Sequence, residues 1–225
     1  MTKRLLCPSM MCADFANLAA DTKALDEAGI DIFHMDIMDG SFVPNFGMGI
    51  QDYELIRSIT NKPVDVHLMI NNPGNYIEKF VHLGADIIYI HPEADRQYAR
   101  TLDTIKQFGK KAGIALNPGT PLETVKDVLP IIDYLMIMTV NPGFAGQEFL
   151  EYTNSKIEQA VALRKSFSFE VMVDGAISPQ KINVLSQRGV TGFILGTSAL
   201  FKKDRAYKDI IENLREESHE YSYRK

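Results

Sequence analysis

Short runs of apolar and β-branched residues recur along the chain roughly every twenty to thirty residues, and the stretches between them return apolar positions at helical spacing. The runs predict strands over 5–9, 30–37, 64–69, 87–91, 112–116, 134–139, 170–174 and 192–195. The intervening stretches carry helix signals. Asp14 can cap a helix that has Phe15, Leu18, Ala19, Thr22 and Leu25 along one side. Pro73, Pro121 and Pro179 sit where a first helical turn tolerates proline, and Gly29, Gly84, Gly109 and Gly189 each fall just before a strand, where a helix must stop.

Strands that alternate with helix-sized connections imply parallel pairing, because a parallel crossover cannot be made by a tight turn. About eight such units in 225 residues predict an α/β fold, a single (β/α)8 TIM barrel over residues 1–225. An open doubly wound sheet is the competitor, but the Gly-x-Gly-x-x-Gly fingerprint of its dinucleotide-binding form does not follow the first strand. No Pro/Gly/Ser linker or low-complexity tract divides the chain. Residues 216–225, charged and weakly periodic, read as a frayed helix end or tail.

Composition narrows the function without choosing it. Hydrophobic residues at 45% and charged residues at 24% match an ordinary globular protein. A formal net charge of -5 with no run of Lys and Arg leaves no footprint for nucleic acid or an anionic membrane, so an anionic substrate would have to be gripped locally. The N-terminus lacks the apolar stretch of a signal peptide, and no segment approaches the roughly 20 apolar residues of a membrane span. Cys7 and Cys12 are too few for a disulfide framework, which points to a reducing cytoplasm and two buried thiols.

The candidate chemistry lies at predicted strand ends, the face on which barrel enzymes place their active sites. In His34-Met35-Asp36-Ile37-Met38 a period of two puts His34, Asp36 and Met38 on one face. The run 64–69 offers His67, and the run 170–174 ends in Asp174 before Gly175. A lone His or Asp at a strand end is more often packed or capped than functional. Four converging on a barrel interior would carry a large desolvation cost, which a divalent cation would offset. Imidazole plus carboxylate suits Zn, Fe, Mn or Co better than Ca; Mg also stays open. Paired aspartates can then serve as base and acid. Met38, Met69 and Met138, also near strand exits, read either as core filling or as a water-poor wall around a reaction intermediate. Three glycine-containing loops could cup a phosphate with backbone amides: Asn141-Pro142-Gly143-Phe144-Ala145-Gly146-Gln147, Gly175-Ala176-Ile177 and Gly196-Thr197-Ser198. The stretch 39–49, with three glycines and a proline, is a suitable mobile loop.

With Pro8-Ser9, His34-Met35-Asp36-Ile37-Met38-Asp39-Gly40, Phe42-Val43-Pro44-Asn45, Asp65-Val66-His67-Leu68-Met69, Met138-Thr139-Val140-Asn141-Pro142-Gly143-Phe144 and Val173-Asp174-Gly175 in this order, the chain resembles the ribulose-phosphate 3-epimerase family from Leu5 to about Leu214. The resemblance implies a metal-dependent enzyme that inverts carbon 3 of a phosphorylated ketose. It implies one divalent ion held by His34, Asp36, His67 and Asp174, with Asp36 and Asp174 as the proton-transfer pair. By the same resemblance Ser9 would contact substrate hydroxyls, and Gly143, Gly146, Gly175, Gly196, Thr197 and Ser198 would hold phosphate. The resemblance also suggests a homo-oligomer, a dimer or a multiple of dimers.

Met172 stands where the family commonly has Glu, Ala145 where it has Gly, and Met10-Met11-Cys12 replaces a more aliphatic stretch. Met11-Cys12, His91-Pro92-Glu93, Phe144-Ala145-Gly146-Gln147 and 196–201 look closer to the allulose-6-phosphate 3-epimerase branch, which leans the expectation to a six-carbon substrate, with ribulose 5-phosphate as the alternative. A different phosphate-binding barrel enzyme, either a metal-free decarboxylase or a metal-dependent aldolase, and a non-catalytic sugar-phosphate sensor are the remaining readings.

Overall fold

The computed structural model describes residues 4–216, so the tail expected beyond Glu216 lies outside the described residues. Strands β1 (Leu5–Pro8), β2 (Phe33–Met38), β3 (Val64–Met69), β4 (Ile87–Ile90), β5 (Lys111–Leu116), β6 (Tyr134–Met138), β7 (Glu170–Asp174) and β8 (Gly192–Leu195) pair in parallel in the order β1-β8-β7-β6-β5-β4-β3-β2. The ring closes between β1 and β2 through a parallel bridge from Ser9 to His34, and the Asp31 amide donates to the Leu6 carbonyl (3.0 Å). The expected (β/α)8 barrel is therefore the architecture found.

Around it lie α1 (Leu18–Glu27), α2 (Ile50–Ile59), α3 (Ile77–His82), α4 (Tyr98–Gln107), α5 (Asn154–Leu163), α6 (Pro179–Gln187) and α7 (Tyr207–Glu216). After β5 the connection is a 3-10 helix, Leu122–Val128, confined between Pro121 and Pro130. Asp14 does cap, its Oδ1 accepting from the Ala16 amide (3.0 Å), but what it caps is a 3-10 turn, Phe15–Asn17, ahead of α1. Phe15 and Ala19 are consequently exposed, and the buried stripe of α1 is Leu18, Thr22 and Leu25. The four helix-stopping glycines all adopt positive φ. No helix among the described residues is long and apolar enough to cross a membrane.

Period-two alternation divides each strand between two cores. Outward residues such as Phe33, Val66, Ile88, Ile114, Leu135, Val171 and Phe193 pack under the helices in one large cluster. Inward residues Cys7, Tyr89, Ala115, Met136, Met138, Met172 and Ile194 fill the barrel. Small residues stand beside large ones inside: Gly113 faces Tyr89 across the β4–β5 ladder, and Gly192 faces Met172 across β7–β8. Met172, which departs from the resembling family, is thereby a fully buried filler. At the C-terminal end of the ring the interior turns ionisable, with His34, Asp36, Asp65, His67 and His91 at 3% exposure or less. Each fully buried Leu, Ile or Phe of the outer layer contributes about 1.5–3 kcal/mol, whereas a buried ion costs several kcal/mol, so the outer layer carries the stability that the charged end consumes.

Candidate metal centre and active site

Register brings the predicted residues together. In the β2–β3 ladder Asp36 is opposite His67 and His34 is opposite Asp65, while Asp174 enters from the exit of β7. One ligand atom each from His34, Asp36, His67 and Asp174 lies within 4.8 Å of all the others. His34 Nε2 stands 3.3 Å from Asp36 Oδ1 and 4.0 Å from Asp174 Oδ2; His67 Nδ1 stands 3.2 Å and 3.6 Å from the same two oxygens. A tetrahedral ion with bonds of about 2.1 Å needs ligand atoms about 3.4 Å apart. The spacing fits.

Other features support that fit. Nε2 of His34 is wholly buried and is turned into the cluster, 3.3 Å from Asp36 Oδ1. Its other nitrogen, Nδ1, stands 2.6 Å from Asp65 Oδ1, the carboxylate-imidazole arrangement that orients histidine ligands. Asp36 is held from behind, because the Ser9 hydroxyl donates to Oδ2 at 2.5 Å. Two carboxylates and two imidazoles could therefore hold a divalent metal ion.

The two aspartates differ in proton affinity. Burial alone would push Asp36 up, but the charges and hydrogen bonds of His34 and His67 outweigh it and hold the carboxyl well below the usual range. At Asp174 burial and then the repulsion of Asp36 dominate, and the carboxyl is raised to about 6. Burial would lower His34, yet Asp65 and Asp36 overcome it and raise the imidazole well above its ordinary value. Two neighbouring carboxylates of unequal proton affinity, Asp36 the lower and Asp174 the higher, are the asymmetry that proton transfer requires.

Above the cluster is a cleft of about 550 Å³, partly open to solvent. Asp36 and Asp174 form its floor, and Met38, Met69 and Met138 line it at 7% exposure or less. Its far wall carries the three predicted loops: Gly143, Phe144, Ala145 and Gly146 after β6, Gly175 and Ala176 after β7, and Gly196, Thr197 and Ser198 after β8. Among the described residues no Lys or Arg lines this cleft, so an anion there must be met by backbone amides and hydroxyls. Gly175 has φ +118°, and a Cβ there would come within 2.8 Å of the Val140 amide nitrogen, so the turn out of β7 admits only glycine. The stretch 39–49 is tied down: Asp39 Oδ1 accepts from the Ser41 and Phe42 amides, and Asn45 Nδ2 donates to the Gly143 carbonyl at 2.7 Å.

His34 and His67 do not touch the cleft surface; both are 0% exposed beneath it. Met11, Cys12, Val140, Gln147 and Ile177 line the cleft without having been singled out as ligands. The Cys12 thiol is pushed up to about 11 by burial and the Asp36 charge. Asp65, His91 and Glu93, which enter the sequence reading only as motif residues with no role at the site, stand behind the histidines. Asp65 shares the inward phase of His67, and that was its available signal.

The model of the ribulose-phosphate 3 epimerase family matches residues 5–201. The "Ribulose-phosphate 3-epimerase" of Synechocystis sp. is 41% identical over 220 residues, 96% of this chain and 95% of that protein. The enzyme of the same name from Bacillus subtilis is 38% identical over 92% of this chain and 96% of its own length. Among solved structures, 3-keto-L-gulonate-6-phosphate decarboxylase from Vibrio cholerae superposes with a TM-score of 0.73 over 96% of this chain and 98% of its own, at 14% identity, a likeness of fold alone. With the family matched across most of its length and the cluster of two aspartates and two histidines at the barrel mouth, this chain belongs to the ribulose-phosphate 3-epimerase family and is a carbohydrate-phosphate epimerase.

Proposed function

We propose that the protein interconverts ribulose 5-phosphate and xylulose 5-phosphate, with Asp36 and Asp174 as the two proton-transfer groups. The observation that carries the reading is the pair of carboxylates of unequal proton affinity inside one four-ligand cluster. The cluster's relatives favour the five-carbon substrate, since those compared are named for ribulose phosphate.

His34 Nε2, Asp36 Oδ1, His67 Nδ1 and Asp174 Oδ2 would hold a divalent ion. When bound, such an ion polarises the carbon-2 carbonyl and stabilises negative charge on the adjoining oxygens. The protein does the rest. Asp36, ionised, takes the carbon-3 proton from one face. Asp174, whose carboxyl binds a proton more tightly than that of Asp36, returns one to the other face of the planar enediolate. Ser9, by donating to Asp36 Oδ2, fixes which oxygen faces the reaction. Met38, Met69 and Met138 exclude water and offer no competing proton, while the loops at Gly143–Gly146, Gly175–Ala176 and Gly196–Ser198 receive the phosphate.

Turnover in deuterium oxide tests this: the product should carry deuterium at carbon 3, and protium retained there would end the two-base scheme. A second reading, allulose 6-phosphate, is favoured by Met11, Cys12 and Ala145, which all line the cleft. One added carbon changes binding by only about 1–3 kcal/mol, so turnover of both ketose phosphates by the same preparation decides between them. The higher kcat/KM is expected for ribulose 5-phosphate.

A cation entering the cluster must displace the protons of His34 and Asp174, both of which bind protons more tightly than usual. Lower pH favours the protonated groups and so opposes the metal. Affinity should therefore rise as pH increases from about 5 through 7, with net proton release. Calorimetric titration in buffers of different ionisation enthalpy measures that release; heats independent of buffer would contradict it.

A further inference from the structure

His67 turns Nδ1 into the cluster, which leaves Nε2 pointing away from it, 2.7 Å from Nε2 of His91. The ring centroids are 4.9 Å apart with planes inclined by 26°. That separation is close to the nitrogen-nitrogen distance plus the two ring radii, so the nitrogens meet head-on. Both rings are 0% exposed, and 2.7 Å between the nitrogens leaves no room for a water. Two imidazole nitrogens this close need one hydrogen between them. If Nδ1 of His67 offers a lone pair to a ligand, Nε2 carries the hydrogen and His91 Nε2 must accept it. The hydrogen of His91 then sits on Nδ1, which faces Glu93 Oε2 at 3.5 Å. Glu93 is itself anchored: Oε1 accepts from the Asn117 amide (3.0 Å) and from the Thr120 hydroxyl. Lys156 pins the same loop by donating to the carbonyls of Asn117 and Pro118 at 2.8 Å each.

We infer that His91 and Glu93 are positioning residues that fix the tautomer of His67, so that a carboxylate two imidazoles away governs how well the cluster holds its ion. The inference rests on the reading of that cluster as a metal site. It makes the two histidine ligands parallel in design, His34 backed directly by Asp65 and His67 backed by Glu93 through His91.

The test uses the full-length protein and Zn2+, with affinity measured by competition against a chromophoric chelator and tautomers read from long-range proton-nitrogen NMR of its five histidines. Glu93→Gln keeps the shape but can present an amide N–H to His91 Nδ1. That would move the His91 hydrogen to Nε2, against the one on His67. Zn2+ affinity should fall by about 10- to 100-fold, and the His67 signal should shift toward the Nδ1-protonated form. His91→Phe, which leaves the His67 N–H unpaired, should weaken affinity to a similar extent, and His91→Gln, whose amide oxygen can accept, should recover much of the loss. Unchanged affinity and tautomer in Glu93→Gln, in protein whose parent binds one Zn2+, would overturn the relay and leave the metal reading standing. A parent that binds no Zn2+ would overturn both.

Discussion

Asp36→Asn and Asp174→Asn each lower kcat by about 10²- to 10⁴-fold, the range that a positioned proton-transfer group supplies. Asparagine keeps the volume and one acceptor oxygen, so the cleft and the Met wall stay in place, but it cannot take or return a proton at neutral pH. The two variants should also differ in a way that simple damage would not produce. Removing one carboxylate stops abstraction from one epimer while leaving carbon-3 exchange from the other, because each epimer presents its proton to a different face. Solvent deuterium uptake into recovered ribulose and xylulose 5-phosphates, followed by proton NMR, separates these cases. Exchange lost from the same epimer in both variants would show that the two carboxylates do not serve opposite faces. Wild-type turnover in either would remove that aspartate from the chemistry.

Gly113→Ala destabilises the fold by about 1–3 kcal/mol, although it adds one methyl in the middle of a strand. A Cβ at position 113 would lie 2.3 Å from Cδ1 and 2.6 Å from Cε1 of Tyr89, both part of a rigid ring that is 0% exposed. The ring has little room to swing: Tyr134 stands edge-on to it at 5.9 Å between centroids, and the imidazoles of His34 and His67 at 6.3 and 6.4 Å. Gly192→Ala supplies the comparison. Its Cβ would come 2.1 Å from Met172 Sδ, a worse overlap on paper, yet the atoms struck are the far end of a flexible thioether that can turn aside. Thermal unfolding should therefore place Gly113→Ala below Gly192→Ala, with a shift of roughly 2–4 °C for each kcal/mol. Equal melting temperatures would show that the Tyr89 ring gives way as readily as the Met172 thioether.

Much of this molecule was legible in its sequence because a fully buried parallel strand reads as an unbroken apolar run. The limits of β3, β7 and β8 fall where the runs place them. The expected strand at 30–37 begins only at Phe33, since Asp31 Oδ2 accepts from the Leu6 amide and uses the preceding residues as a corner. The helix after β5 shrinks to a 3-10 segment because two prolines bound it. That His34, Asp36, His67 and Asp174 lie together is legible from period and strand-end position, and the resemblance motifs contain the same four. The supporting roles of Asp65, His91 and Glu93 are not: Asp65 acts only by lying across from His34 in the β2–β3 ladder, and His91 and Glu93 leave β4 in a turn whose path back toward His67 no strand period shows. Of the residues behind the lean toward a six-carbon substrate, Met11, Cys12, Phe144 to Gln147 and Gly196 to Ser198 line the cleft while His91, Pro92, Glu93 and 199–201 do not, and the relatives are named for ribulose phosphate.

The alignment of Asp36 with His67 has one more consequence. Were β2 to slip by a single residue against β3, His34 and Asp36 would rotate out toward the helices and Met35 and Ile37 would turn inward. The four ligand atoms thus converge only in a correctly assembled ring, and a misassembled chain forfeits its chemistry outright. The reaction centre doubles as a proofreading mark for the barrel's own assembly.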